Sequence, residues 1–132
     1  MKTRIIAFIM VLANINISNA QPLNIIPAPY SETKGNGTYH LAKNISISNH
    51  GASAELVNEI ANELKLATAK EVRIGGKIGA IVLSIVNEET IGKEGYFLEV
   101  NEKGIQIKAN TNAGLFYGWQ TVKQIMPAAI YS

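Results

Sequence analysis

Asn112-Ala-Gly-Leu-Phe-Tyr-Gly-Trp-Gln-Thr-Val-Lys-Gln-Ile-Met-Pro127 decides the reading of this chain. At a helical spacing of about 100° per residue, Leu115, Trp119, Val122, Ile125 and Met126 make one apolar stripe, and Gly114 and Gly118 lie one turn apart along its edge. Glycine costs a helix about 1 kcal/mol relative to alanine. Two of them at this spacing therefore predict a strand or second helix packed unusually close to the backbone. Pro127 stops the helix. Phe116 and Tyr117 fall off the stripe, on the side shared by Gln120, Lys123 and Gln124. Burying a large apolar side chain is worth about 1.5–3 kcal/mol, so leaving two aromatic rings in water forgoes a sizeable stabilisation. Either the domain's own loops or a partner domain covers them.

Working outward, the chain has 132 residues, no Cys and apolar content of 47%. That suits one small domain with its own core. Met1-Lys-Thr-Arg4, the apolar run Ile5–Ala13 and Ser18-Asn-Ala20 read as a signal peptide over 1–20, with a mature domain over 21–132. The run falls short of the about 20 residues that span a bilayer, so no membrane attachment is expected after cleavage. Removing Lys2 and Arg4 from the 12 basic residues leaves 10 against 10 acidic ones. A neutral mature domain has no basic surface for phosphate backbones, which argues against nucleic acid. Export without disulfides fits a periplasmic or extracellular bacterial protein.

Leu23-Asn-Ile-Ile-Pro-Ala-Pro-Tyr30 reads as an opening strand at a sheet edge. Tyr39-His-Leu41 and Ile45-Ser-Ile-Ser48 read as short strands. From Ser53, a plausible N-cap, Leu56, Val57, Ile60, Ala61, Leu64 and Ala67 recur at helical spacing opposite Glu55, Asn58, Glu59, Asn62 and Glu63. Ala80–Val86 is a nearly unbroken apolar run, expected to be a central strand covered on both faces. Tyr96, Leu98, Val100, Ile105, Ile107 and Ala109 alternate with polar residues around a glycine-containing turn, as in a hairpin. The sum is an α+β domain, a mixed sheet with two helices packed on it.

Chemistry is sparse. The chain contains no Asp, which removes Ser-His-Asp triads and aspartyl dyads. Glu88, Glu89 and Glu94 form the densest acidic cluster, but a polar loop predicts solvated carboxylates rather than an acid–base pair. His40 and His50 have no ligand spacing for a metal. Gly75-Gly-Lys77 lacks both the leading glycine and the hydroxyl residue of a phosphate loop. No cofactor or metal is expected. Trp119 at its spacing is a core residue, leaving Phe116 and Tyr117 as the aromatics able to meet a sugar ring.

Several stretches together resemble a known family. Ile25-Ile-Pro-Ala-Pro29, Glu94-Gly-Tyr-Phe-Leu98, Gly104-Ile-Gln-Ile107, Ala113-Gly-Leu-Phe-Tyr-Gly-Trp-Gln-Thr121 and Gln124-Ile-Met-Pro127 are similar to the N-terminal accessory domain of family 20 glycoside hydrolases, the β-N-acetylhexosaminidases. The resemblance runs from Leu23 to Pro127. It implies an α+β domain that normally precedes a (β/α)8 barrel, its partner in cis or in trans. In that family the barrel's Asp-Glu pair cleaves terminal N-acetylhexosamine by substrate assistance, the Glu as general acid and the Asp orienting the 2-acetamido group. Neither residue carries over, so this chain alone is expected to be inactive: a truncated gene product, a fragment or a separately encoded accessory domain. Phe116, Tyr117, Gln120 and Gln124 are the expected barrel-contact face. The alternatives are a free-standing module that binds an N-acetylhexosamine-containing glycan, or the accessory domain of another glycosidase such as an α-glucuronidase.

Overall fold

The computed structural model describes residues 24–127, apart from 27, 34, 36, 77 and 78. The expected signal peptide lies outside the described residues.

Alternation and helical periodicity translate into seven elements. They are β1 (Asn44–His50), α1 (Ala54–Thr68), β2 (Glu71–Ile74), β3 (Ile81–Ile85), β4 (Tyr96–Asn101), β5 (Gly104–Ala109) and α2 (Asn112–Ile125). The five strands form one sheet in the order β2-β1-β3-β5-β4. β1 pairs in parallel with β2 and β3, and β3 with β5, whereas β4 and β5 are antiparallel. This is the mixed α+β sheet expected from the pattern.

Register puts one residue set on one face. Ile47 pairs with Ile81, Ile81 with Ile105 and Leu83 with Ile107, and these side chains are fully or nearly buried. They form one core with Leu56, Val57, Ile60, Ala61 and Leu64 of α1 and Leu115, Trp119 and Val122 of α2. Both helices therefore lie on the same side of the sheet. Ser53 caps α1 as expected, its hydroxyl accepting from Leu56 N at 3.4 Å. β3 is central, but the expected cover on both faces is wrong. Ile81 and Leu83 are buried under the helices, while Val82 and Ser84 on the reverse face are only half-buried.

Three further differences share a cause, long-range pairing that local pattern does not report. β2 is an additional strand: Val72 and Ile74 alternate with Glu71 and Arg73, but the pattern lasts only four residues and only Val72 is half-buried, so it is too short to stand out. It pairs with the first half of β1 and β3 pairs with the second half, both through Ile47. Gly79, between them, packs against β1 on the reverse face, where a Cβ on it would stand 2.8 Å from the Ser46 carbonyl oxygen, and Ala80 N donates to Ser46 Oγ at 3.0 Å. Tyr39-His-Leu41 is not a strand. Tyr39 and Leu41 pack on the core margin, and the Lys70 ammonium donates to the carbonyls of Leu41 and Ala42 at 2.8 and 3.1 Å, replacing a ladder. The described residues of the opening segment also form no strand. There the side-chain amide of Gln124 supplies two bonds of ladder type, accepting from Ile26 N at 2.7 Å and donating to Ile26 O at 3.0 Å.

Candidate functional site

The start of α2 is held from three directions. Thr111, its N-cap, accepts from Gly114 N at 3.1 Å and donates to the Lys93 carbonyl. The Asn112 side chain accepts from Ser53 N at 2.9 Å, joining the two helix starts. The glycine edge then settles the helix onto the hairpin. A Cβ on Gly118 would stand 2.5 Å from Ile107 Cγ2, and one on Gly114 would stand 2.7 Å from Ala109 Cβ and collide with the Gly95 carbonyl oxygen. The close neighbour expected from the glycine spacing is the β4–β5 hairpin. Pro127 follows Met126, whose extended backbone ends the helix.

Fixing α2 in this way fixes what its other side presents. Tyr117, Gln120 and Gln124 share one face and line a shallow hollow with Ile26, Glu94, Tyr96 and Thr121. The Tyr96 and Thr121 hydroxyls are hydrogen-bonded to each other, and Gln124 is committed to Ile26. Tyr117 is 44% exposed.

Of the two off-stripe rings expected to be covered, the structure itself partly covers Phe116. It is half-buried and packed against the core margin, with its ring edge-on to that of Tyr117 at a centroid distance of 5.8 Å and an interplanar angle of 67°. The two rings are no flat stacking platform. The helix wheel places Phe116 by angle alone and leaves open what covers it, since it cannot include the neighbouring elements that flank α2. Trp119 is core, as expected, at 2% exposure.

The sequence reading did not bring Ile26, Glu94, Tyr96 and Thr121 to this hollow. Tyr96 was legible only as a core-facing strand residue, and nothing local ties Ile26 to a helix 98 positions away. Glu94 was grouped with Glu88 and Glu89, yet the three serve separate roles. Glu88 accepts from Thr90 Oγ1 at 2.9 Å within its own turn, Glu89 is exposed, and Glu94 lines the hollow. His40 and His50 are exposed. Among the described residues no cluster of His, Cys, Asp or Glu could hold a metal ion, and no helix is long and apolar enough to cross a membrane.

The fold is a mixed sheet with both helices on one face, and α2 presents an aromatic–amide hollow. The chain belongs to family 20 of the glycosyl hydrolases, matching the family's domain 2 over residues 22–131. It is 30% identical over 118 residues to a β-hexosaminidase of Porphyromonas gingivalis, covering 83% of this chain and 15% of that protein. A lacto-N-biosidase of Bifidobacterium bifidum is 25% identical over 119 residues, covering 83% of this chain and 11% of the relative. Among solved structures, the GH20 β-N-acetylhexosaminidase from Streptomyces coelicolor A3(2) superposes with a TM-score of 0.75 at 32% identity, covering 84% of this chain and 23% of that one. A mutant Streptomyces plicatus β-hexosaminidase in complex with its product GlcNAc gives a TM-score of 0.76 at 31% identity, covering 83% and 23%. The chain thus spans less than a quarter of the length of these proteins.

Proposed function

We propose that this chain is the non-catalytic accessory domain of an exported β-N-acetylhexosaminidase, and that the α2 face packs beside a catalytic (β/α)8 barrel. The match to domain 2 over residues 22–131, which takes in every described residue, carries the reading, and a β-hexosaminidase among the relatives supports the parent activity. Substrate-assisted cleavage needs an Asp beside its Glu, and this chain has no Asp at all. Its contribution is mechanical: it presents Tyr117, Gln120 and Gln124 on a helix held rigidly against the hairpin, with Phe116 supporting the Tyr117 ring from behind. The edge-on pair offers one exposed ring rather than two coplanar ones, which favours a packing face over an extended sugar platform.

The test is hydrolysis of an aryl N-acetylglucosaminide. The chain alone is expected to give none, and a product of the same reading frame that also carries a barrel with an adjacent Asp-Glu pair is expected to give turnover. Activity in the chain alone would overturn the assignment. Export is tested separately, by recovering the chain outside the cytoplasm with Gln21 as its first residue.

A further inference from the structure

We infer that the hollow beside α2 receives the guanidinium of an arginine side chain carried by the surface that packs on this domain. The inference rests on the docking reading above for the partner's place, and on the charge of the hollow for its chemistry. Glu94 is the one charged residue among those lining it, and no basic side chain joins them. Glu94 makes no ion pair with another described residue. In water that carboxylate needs nothing. Once a protein surface closes over the hollow it is desolvated, and an uncompensated buried charge costs several kcal/mol. A surface that docks here must therefore bring a cation.

The remaining lining selects arginine over lysine. Tyr117 offers an exposed ring, steadied edge-on by Phe116, and a planar guanidinium stacks on such a ring while an ammonium is a compact, strongly hydrated point charge. Around it stand further acceptors: the half-buried Gln120 amide and the hydroxyl pair of Tyr96 and Thr121. Five donors in a fixed fork can address acceptors in several directions at once. Gln124 is occupied by Ile26 and serves as a wall.

The probe is N-acetyl-arginine amide, titrated into the ¹⁵N-labelled full chain and followed by NMR. Saturable shifts are expected at Glu94, Tyr117 and Gln120, with N-acetyl-citrulline amide, of the same shape without charge, giving none. Glu94→Gln, at an exposed position, is expected to weaken binding at least about threefold, and Tyr117→Leu by a similar factor. Equal responses to arginine and citrulline, or an unchanged affinity in Glu94→Gln, would overturn the inference. N-acetyl-lysine amide binding as tightly would overturn the choice of arginine. Because the titration needs no barrel, its outcome is independent of the hydrolysis test: saturable, Glu94-dependent binding stands even if the parent proves not to be a hexosaminidase.

Discussion

The indole nitrogen of Trp119 donates to Oε2 of Glu63 at 2.6 Å, linking α2 to α1 across 56 positions of sequence. The same carboxylate accepts from the Lys123 ammonium, at 3.1 Å to Oε2. A tryptophan that is 2% exposed thus has its one polar atom satisfied. Glu63 had the pattern of a wet-face helix residue, and the structure turns it to structural use. Leaving a buried donor unsatisfied costs about 1–3 kcal/mol, so Glu63→Leu is expected to lower the melting temperature by several degrees. Glu63→Gln keeps an acceptor and is expected to lose less. Lys123→Met removes a partly exposed ion pair with Glu63, worth about 0–1 kcal/mol. Thermal denaturation of the three variants should rank them Leu, then Gln, then Met. A Lys123→Met loss equal to that of Glu63→Leu would show that the ion pair, rather than the indole bond, couples the helices.

Gly118 makes a case in which propensity and packing oppose each other. Alanine in place of a helix glycine gains about 1 kcal/mol in an exposed site. Here its Cβ would stand 2.5 Å from Ile107 Cγ2 and 3.2 Å from the Tyr96 ring. Overpacking of this kind costs about 1–3 kcal/mol, so the sign should reverse. Gly118→Ala is expected to destabilise and Gly118→Leu to destabilise further, by forcing α2 off the hairpin. Gly114→Ala should be worse than Gly118→Ala, because one obstacle is the rigid Gly95 carbonyl rather than side chains that can turn. Urea midpoints for the three proteins decide it, and an unchanged or raised midpoint in Gly118→Ala rules out the close-packing account.

These two cases show what the sequence could and could not carry. Period and spacing located α1, α2, the β4–β5 hairpin, the central β3 and the tight approach at the glycines, because each is written in one short continuous stretch of the chain. β2 stayed hidden, since Glu71-Val-Arg-Ile74 is an edge strand whose alternation lasts only four residues, with one residue half-buried. The strands expected at Tyr39–Leu41 and in the opening segment had β-like composition, but Lys70 and Gln124 side chains satisfy their carbonyls in place of a strand. Of the site, Tyr117, Gln120 and Gln124 were legible as one helix face. Phe116 is half-buried beside Tyr117, and Ile26, Glu94, Tyr96 and Thr121 arrive only through folding.

The Gln124 clamp should act locally. Its two bonds to Ile26 are exposed, and each net hydrogen bond is worth about 0.5–1.5 kcal/mol. Yet Ile26 itself is 81% exposed, so releasing it uncovers little apolar surface. Gln124→Leu is therefore expected to speed amide hydrogen exchange at Ile26 by about tenfold while leaving core amides such as Ile107 and the global melting temperature nearly unchanged. A uniform acceleration through the core would mean that the opening segment is part of the cooperative unit.

The end of α1 carries a cost that can be relieved. Ala69 caps it with φ of 52° and ψ of 25°, the left-handed conformation, while its amide donates to Lys65 O at 3.0 Å. For an L-residue with a Cβ that conformation costs roughly 1–2 kcal/mol, and glycine adopts it freely. Glycine also loses more entropy on folding, which takes back part of the gain. Ala69 is exposed, so no packing is lost with its methyl. Ala69→Gly is expected to raise stability by about 0.5–1 kcal/mol, seen as a higher urea midpoint with an unchanged slope. Ala69→Val, with a branched Cβ in the same conformation, is expected to lower it. If glycine instead destabilises, the turn between α1 and β2 is held by something other than the backbone geometry at Ala69, and the Lys70 ammonium anchored on Leu41 and Ala42 is the next residue to test.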